Sequence, residues 1–151
     1  MRIAICDDEK RICAILAEKA GKICPGAEIM TYASEEKLLG ADILLDILLL
    51  DIKMPGMSGM DVARTLRDKD WRKILIFITG EEDQVFNSFD LHAFHFLVKP
   101  VADEKLKEAV KETFEHRRTG FDDIFAFKDE FTASEIHQSR WKAFLKKKKR
   151  L

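Results

Sequence analysis

The fold of this chain is decided by the stretch Asp46-Ile-Leu-Leu-Leu-Asp51-Ile-Lys-Met-Pro55-Gly56-Met-Ser-Gly59-Met. Four apolar residues lead directly into Asp51, and a Pro-Gly turn signal follows shortly after it. A short apolar run between turn signals is typical of a strand that is buried on both faces of a parallel sheet. Asp51 is therefore expected at the carboxyl end of a central strand, where open α/β sheets bind ligands. The alternative is that Asp51 only caps the following turn.

Apolar runs and helical patterns alternate on both sides of this stretch. Besides the run that ends at Asp51, strands are predicted at Arg2–Cys6, Ala27–Tyr32, Ile74–Ile78 and His95–Val98. Apolar positions at helical spacing follow each strand, in segments that begin near Glu9, Ser34, Ser58 and Glu81 and after Lys99-Pro100. This alternation predicts a parallel sheet with helices on both faces and right-handed crossovers.

Composition and charge fit a globular protein. The net charge of −1 is unevenly spread, because residues 120–151 hold eight Lys or Arg against five Asp or Glu. The three cysteines form no CxxC pair, which is the usage of an intracellular protein with reduced thiols. The beginning of the chain has no signal-peptide pattern, and no apolar run approaches the roughly 20 residues that span a bilayer. We therefore expect a cytoplasmic protein without a membrane partner.

Polar residues fall at the ends of four predicted strands. Asp7 and Asp8 follow the first strand, Asp51 ends the third, Thr79 follows the fourth and Lys99 follows the fifth. Because the carboxyl ends of parallel strands open on one edge of a sheet, these side chains are expected to meet in one crevice. The alternative for the first pair is that the two acids only cap the first helix.

The residue types in this crevice suit phosphoryl chemistry. Carboxylates about 4 Å apart repel by roughly 4 kcal/mol per pair at an effective dielectric near 20, so a cation is expected among them. Mg²⁺ binds a few carboxylates and keeps other positions for water and phosphate oxygens. Lys99 can pair with a phosphate oxygen or with Asp51. Asp51 is the natural nucleophile, since a carboxylate can take a phosphoryl group as an acyl phosphate.

These residues resemble the receiver domain of two-component response regulators. The resemblance rests on Asp7-Asp8, Asp51 with Met54-Pro55-Gly56 and Gly59, Thr79, and Lys99-Pro100, and it covers residues 1 to about 118. It implies a doubly wound five-stranded parallel sheet of the flavodoxin-like order 2-1-3-4-5. It also implies that a histidine kinase phosphorylates Asp51 in the presence of Mg²⁺.

The resemblance assigns a metal site to the acids. Asp8 and Asp51 would bind Mg²⁺ together with the backbone carbonyl of Lys53, and Asp7 would reach the metal largely through water.

It also assigns a switch. Thr79 and Lys99 would contact the phosphoryl oxygens, and the hydroxyl of Thr79 would move toward the phosphate as Phe96 turns inward. Phe96 stands where such domains often carry tyrosine, so it offers no hydroxyl to a partner.

The region before Lys99-Pro100, from Asn87 onward, is similar to the receivers of LytTR-type transcription regulators. A β-rich DNA-binding domain of about a hundred residues would follow in those proteins, whereas 32 residues follow Thr119. We therefore expect a receiver domain at residues 1–118. Residues 119–151 are expected to be a basic tail, partly disordered or a remnant of an output domain. DNA would be bound only through a following output domain or through the basic run 146–150.

Three functions follow from these patterns. The leading one is a phosphorylation switch that regulates transcription and is not an enzyme beyond slow self-dephosphorylation. The second is a Mg²⁺-dependent phosphatase with an aspartyl nucleophile, although Lys53 occupies the position where such enzymes carry a second acid. The third is an interaction module that is not phosphorylated. A homodimer is expected through the face made by the fourth predicted helix and the fifth strand.

Overall fold

The computed structural model describes residues 1–41, 44–69, 71, 73–80 and 93–119 of the 151-residue chain. Its strands are β1 (Arg2–Cys6), β2 (Glu28–Tyr32), β3 (Ile47–Asp51), β4 (Ile74–Thr79) and β5 (His95–Val98). Its helices are α1 (Lys10–Ile23), α2 (Glu35–Gly40), α3 (Gly59–Asp68) and α4 (Asp103–Thr119). The predicted helix that begins near Glu81 lies outside the described residues. So does the tail after Thr119, and the predicted division into two segments stays a prediction.

All five strands are parallel and lie in the order β2-β1-β3-β4-β5, which confirms the predicted fold class. The strand β3 is central, pairs with β1 on one side and β4 on the other, and is buried along its whole length. Its uninterrupted apolar run therefore reflects burial on both faces. Asp51 is its last residue and lies opposite Ile78 of β4.

The sheet separates two hydrophobic layers, because successive side chains of a strand point to opposite faces. One layer packs α2 and α3 on the sheet and buries Leu38, Met60, Val62, Ala63, Cys6, Leu50, Phe77 and Phe96. The other packs α1 and α4 on the opposite face and buries Cys13, Leu16, Leu106, Ala109, Val110, Ile5, Leu49 and Ile78. Among the described helices, none is both long enough and apolar enough to cross a membrane.

The helix starts explain the loops around the carboxyl edge of the sheet. Ser34 and Ser58 cap α2 and α3 by accepting backbone N–H groups of Lys37 and Asp61. Glu9 precedes α1 without a side-chain cap, and its own N–H donates to Oδ1 of Asp7 at 2.9 Å. Asp7 therefore helps to start α1 as well as facing the crevice.

Gly59 is the point where α3 meets the end of the central strand. Its N–H donates to the carbonyl of Ile52 at 2.7 Å. A Cβ on Gly59 would lie 2.0 Å from the carbonyl oxygen of Asp51. Only glycine allows this approach, which sets the position of the loop that follows Asp51.

Replacing Gly59 with alanine is predicted to lower the free energy of unfolding by about 2–3 kcal/mol, because the new methyl group must displace the backbone of Asp51. Urea denaturation of the purified protein measures the change. Gly40→Ala is the matched control, since nothing lies within 4 Å of the Cβ position there. Its stability is expected to stay within about 0.5 kcal/mol of the wild type or to rise slightly. Equal losses in the two variants would contradict the close-approach argument.

Candidate functional site

The structure brings the five predicted strand-end residues to one edge of the sheet. Asp7 and Asp8 follow β1, Asp51 and Thr79 end β3 and β4, and Lys99 follows β5. Asp7, Asp51 and Thr79 are buried, whereas Asp8 is exposed. Three of the five, Asp8, Asp51 and Lys99, line an open cleft of about 640 Å³, together with Glu9, Lys53, Met54, Pro55 and Gly80.

The ammonium group of Lys99 lies between two buried carboxylates. Its Nζ atom is 2.8 Å from Oδ2 of Asp7 and 3.2 Å from Oδ2 of Asp51. The backbone of Lys99 is also held, because its N–H donates to the carbonyl of Thr79 at 2.9 Å. The predicted pairing of Lys99 with Asp51 is therefore present. The shorter contact, however, is with Asp7, which the sequence did not single out for this role.

Burial dominates the electrostatics of Asp51. The pKa of this carboxyl is raised from 3.8 to about 6, chiefly by burial and next by the nearby charge of Asp7. Lys99 and a backbone hydrogen bond from Lys53 act in the opposite direction. Burial by itself lowers the pKa of Lys99, but the contacts with Asp7 and Asp51 outweigh it and the net pKa is raised. The ammonium is therefore charged at neutral pH, and Asp51 is mostly ionised.

The acids can form a divalent-cation site. Asp7, Asp8 and Asp51 each offer an oxygen, and the three oxygens lie within 4.8 Å of one another. Oδ2 of Asp7 is buried and accepts no well-directed hydrogen bond from the part of the chain that the structure describes. The ion pair with Lys99 balances its charge without satisfying both lone pairs. A hard cation with oxygen ligands fits these residues.

Phe96 points into the layer of α2 and α3. Its ring stacks on Phe77 with the centroids 5.4 Å apart, and its side chain is buried. Phe77 is its direct neighbour across β4 and β5, and Thr79 lies opposite Val98 two residues further on. The aromatic ring is thus inward in this structure, and the predicted movement of Thr79 with Phe96 stays a prediction.

Two acids near the site were missed by sequence reasoning. Glu9 lines the cleft. Glu35, at the start of α2, has Oε1 3.4 Å from the backbone N of Met57 and lies over Gly56, whose φ is +83°. The positive φ is what a Pro-Gly turn signals. Nothing local to Glu35 predicts its contact, because the partner lies 22 residues further along the chain.

The raised pKa of Asp51 predicts how the free energy of unfolding of the metal-free protein depends on pH. The folded state binds a proton at Asp51 more tightly than the unfolded chain does, so ionisation of Asp51 costs stability above about pH 6. That cost is relieved as the pH falls toward 3.8, the ordinary value. Asp51→Asn is therefore expected to raise the free energy of unfolding by about 1–2 kcal/mol at neutral pH, and the gain should vanish in acid.

Denaturation of the EDTA-treated protein over a pH series measures this gain. Asp46→Asn is the control, since Asp46 lies before the other end of β3 and its carboxylate accepts the N–H of Arg2 at 2.8 Å. A loss of stability in Asp51→Asn at neutral pH would show that the ion pair with Lys99 outweighs the burial cost.

Comparisons with known proteins agree with this geometry. The family model described as "Response regulator receiver domain" matches residues 3–111. The positive alginate biosynthesis regulatory protein of Pseudomonas aeruginosa is 38% identical over 114 residues, which cover 74% of this chain and 46% of that protein. The sensory transduction protein LytT of Oceanobacillus iheyensis is 33% identical over 92 residues, which cover 58% and 35%. The chain thus spans less than half the length of these curated relatives.

Solved structures show the same fold. The response regulator protein TrrA of Thermotoga maritima, crystallised in complex with Mg²⁺ and BeF, is 33% identical with a TM-score of 0.67. The match covers 74% of this chain and 97% of TrrA. A response regulator receiver domain protein of Clostridium thermocellum is 25% identical with a TM-score of 0.68 and covers 78% and 97%. With its five-stranded sheet and its acidic cleft, the chain belongs to the response regulator receiver domain family of two-component signalling.

Proposed function

We propose that this chain is a phosphorylation-dependent signalling switch in which Asp51 accepts a phosphoryl group from a histidine kinase. The observation that carries the proposal is the position of Lys99. Its ammonium lies between the buried carboxylates of Asp7 and Asp51, at the wall of a cleft that opens to solvent. A nucleophilic carboxylate and a cation for the incoming charge therefore stand side by side.

The protonation state of Asp51 suits attack at neutral pH. With a pKa of about 6, its carboxylate is mostly ionised and carries the lone pair that the reaction needs. An Oδ atom of Asp51 would form a bond to phosphorus while the bond from phosphorus to the histidine nitrogen of the donor breaks. Lys99 would then exchange its contact with Asp51 for one with a phosphoryl oxygen, as a compact cation can do.

The acids would serve the same reaction by holding Mg²⁺. Asp8, Asp51 and the backbone carbonyl of Lys53 are proposed as ligands, with Asp7 acting largely through water. When bound, the ion would supply positive charge that offsets the charge of the phosphoryl oxygens. The three close carboxylate oxygens support this assignment, as does the buried Oδ2 of Asp7, whose contact within the described residues is the ion pair with Lys99.

Thr79 and Phe96 are proposed as the switch. Thr79 is buried beside the site, and its hydroxyl would donate a hydrogen bond to a phosphoryl oxygen. The packing of the Phe96 ring would depend on the position of Thr79. Phosphorylation would then shift an existing equilibrium at the face that includes β5. Because Phe96 has no hydroxyl, its effect would pass through packing alone.

The output of the switch is proposed to be transcription. Relatives of this chain include proteins named transcriptional regulatory protein BtsR and the alginate regulator. DNA would be contacted by an output domain or by the basic run 146–150. A homodimer would form through the face made by β5 and the predicted helix that begins near Glu81, which is not α4. The cytoplasmic location expected from the sequence accords with this role. Lys53, standing where an acid would be needed, argues against phosphatase turnover.

Incubation of the chain with Mg²⁺ and acetyl phosphate is expected to add one phosphoryl group, because the phosphorus of this small donor can enter the open cleft beside Asp51. Intact-protein mass spectrometry measures the product. Asp51→Asn should abolish labelling, and EDTA should abolish it in the wild type. Asp46→Asn is the control that should label normally, since Asp46 precedes the opposite end of the same strand.

Labelling of Asp51→Asn at the wild-type level would overturn the assignment of the acceptor. Repeated turnover of simple phosphate esters would instead favour the phosphatase.

A further inference from the structure

Lys19 connects helix α1 to the segment that follows Lys99. Its Nζ atom donates to the carbonyl oxygen of Val101 at 2.8 Å and lies 2.8 Å from Oδ1 of Asp103. Val101 is buried between β5 and α4, and Asp103 is the first residue of α4. The ammonium group of Lys19, in the second half of α1, therefore contacts the short connection between Lys99 and α4.

The two contacts of Lys19 differ in weight. The side chain of Asp103 is 79% exposed, and surface ion pairs of that kind contribute little. The side chain of Lys19 is 29% exposed, and its bond to the carbonyl of Val101 is a charge-assisted hydrogen bond in a sheltered position. The bond to Val101 is therefore the one expected to fix the backbone.

Helix α1 is attached at its other end to the acid that Lys99 contacts. Oδ1 of Asp7 accepts the N–H of Glu9, the residue directly before α1, at 2.9 Å. Oδ2 of the same carboxylate lies 2.8 Å from Nζ of Lys99. The contacts thus close a ring that runs from Asp7 through α1 and Lys19 to Val101, and back through Lys99 to Asp7.

We infer that Lys19 is a positioning residue for Lys99, acting by holding the carbonyl of Val101. The backbone around Lys99 is anchored on one side by its N–H bond to the carbonyl of Thr79, at 2.9 Å. Lys19 supplies the anchor on the other side. A long side chain such as that of Lys99 keeps its ammonium between two carboxylates only if its backbone is fixed. The inference rests on the proposed function insofar as Lys99 is to meet phosphoryl oxygens.

Three variants separate positioning from simple stabilisation. Lys19→Met keeps the apolar stem and removes both contacts, Lys19→Arg can restore both, and Asp103→Asn removes the charge of the exposed partner alone. With Mg²⁺ and beryllofluoride as the probe, Lys19→Met is expected to weaken binding about three- to tenfold, the effect of losing one hydrogen bond. The rate of labelling by acetyl phosphate should fall in parallel. Lys19→Arg and Asp103→Asn should stay near the wild type.

The affinity for Mg²⁺ alone is the internal reference, since Lys19 touches none of the proposed ligands. It should change little in Lys19→Met. All readings are taken well below the unfolding temperature of each variant. Lys19→Gln, which keeps the stem but is too short to reach both partners, replaces Lys19→Met if that variant does not fold. A lower unfolding temperature with unchanged beryllofluoride binding and labelling would overturn the inference and leave Lys19 a structural residue.

A second readout does not depend on phosphorylation. The Nζ signal of Lys99 in a ¹⁵N-lysine spectrum, assigned with Lys99→Arg, reports whether the ammonium is held in the metal-free protein. It should be resolved in the wild type and in Lys19→Arg, and broadened in Lys19→Met. An unchanged signal in Lys19→Met would overturn the inference. If the wild type itself is not labelled, the proposed function fails, and this spectrum still decides the role of Lys19.

Discussion

The contact on which the rest of the site depends is the ammonium of Lys99 between the carboxylates of Asp7 and Asp51. Two buried acids side by side are costly, and one cation shared between them offsets only part of that cost. The raised pKa of Asp51 reflects the part of that cost which the cation does not offset. The site is therefore held in a state that an additional positive charge would improve. A divalent cation bound among the acids would supply that charge.

The sheet order explains how a contact between residues so far apart in the chain can form. Asp7 follows β1 and Lys99 follows β5, and these strands flank the pair β3 and β4. The side chain of Lys99 reaches back across the carboxyl ends of that pair. The two hydrophobic layers fix the strands from both faces, so the ends keep their spacing. The geometry of the site is thus a property of the whole sheet.

The sequence predicted the parts of this arrangement that depend on periodicity. The apolar run before Asp51 identified the central strand, and the rule that parallel strands end at one edge brought Asp51, Thr79 and Lys99 together. Predicted element starts differ from the observed ones by about one residue, as for β2, which begins at Glu28 instead of Ala27.

The contacts that sequence reasoning missed are those set by the placement of helices. The closest partner of Lys99 is Asp7, whose carboxylate also accepts the N–H of Glu9, the residue directly before α1. The bond between Lys19 and Val101 joins positions 82 residues apart, and no local pattern marks either residue. A long side chain can reach several partners, and the packing of the helices determines which of them it contacts.

The order of the strands also means that the residues of the site lie on strands with different numbers of neighbours. Asp51 ends a strand that has a neighbour on each side: β1 pairs with β3 as far as Leu50, and β4 pairs with it as far as Asp51 itself. The strand that carries Phe96 and leads into Lys99 lies at the margin of the described sheet, with β4 as its neighbour there. Asp51 thus lies at the end of the central strand, whereas Phe96 and Lys99 lie on or next to a strand at the margin of the described sheet. If Asp51 accepts a phosphoryl group as proposed, we expect the added charge to be accommodated by movement of that edge strand.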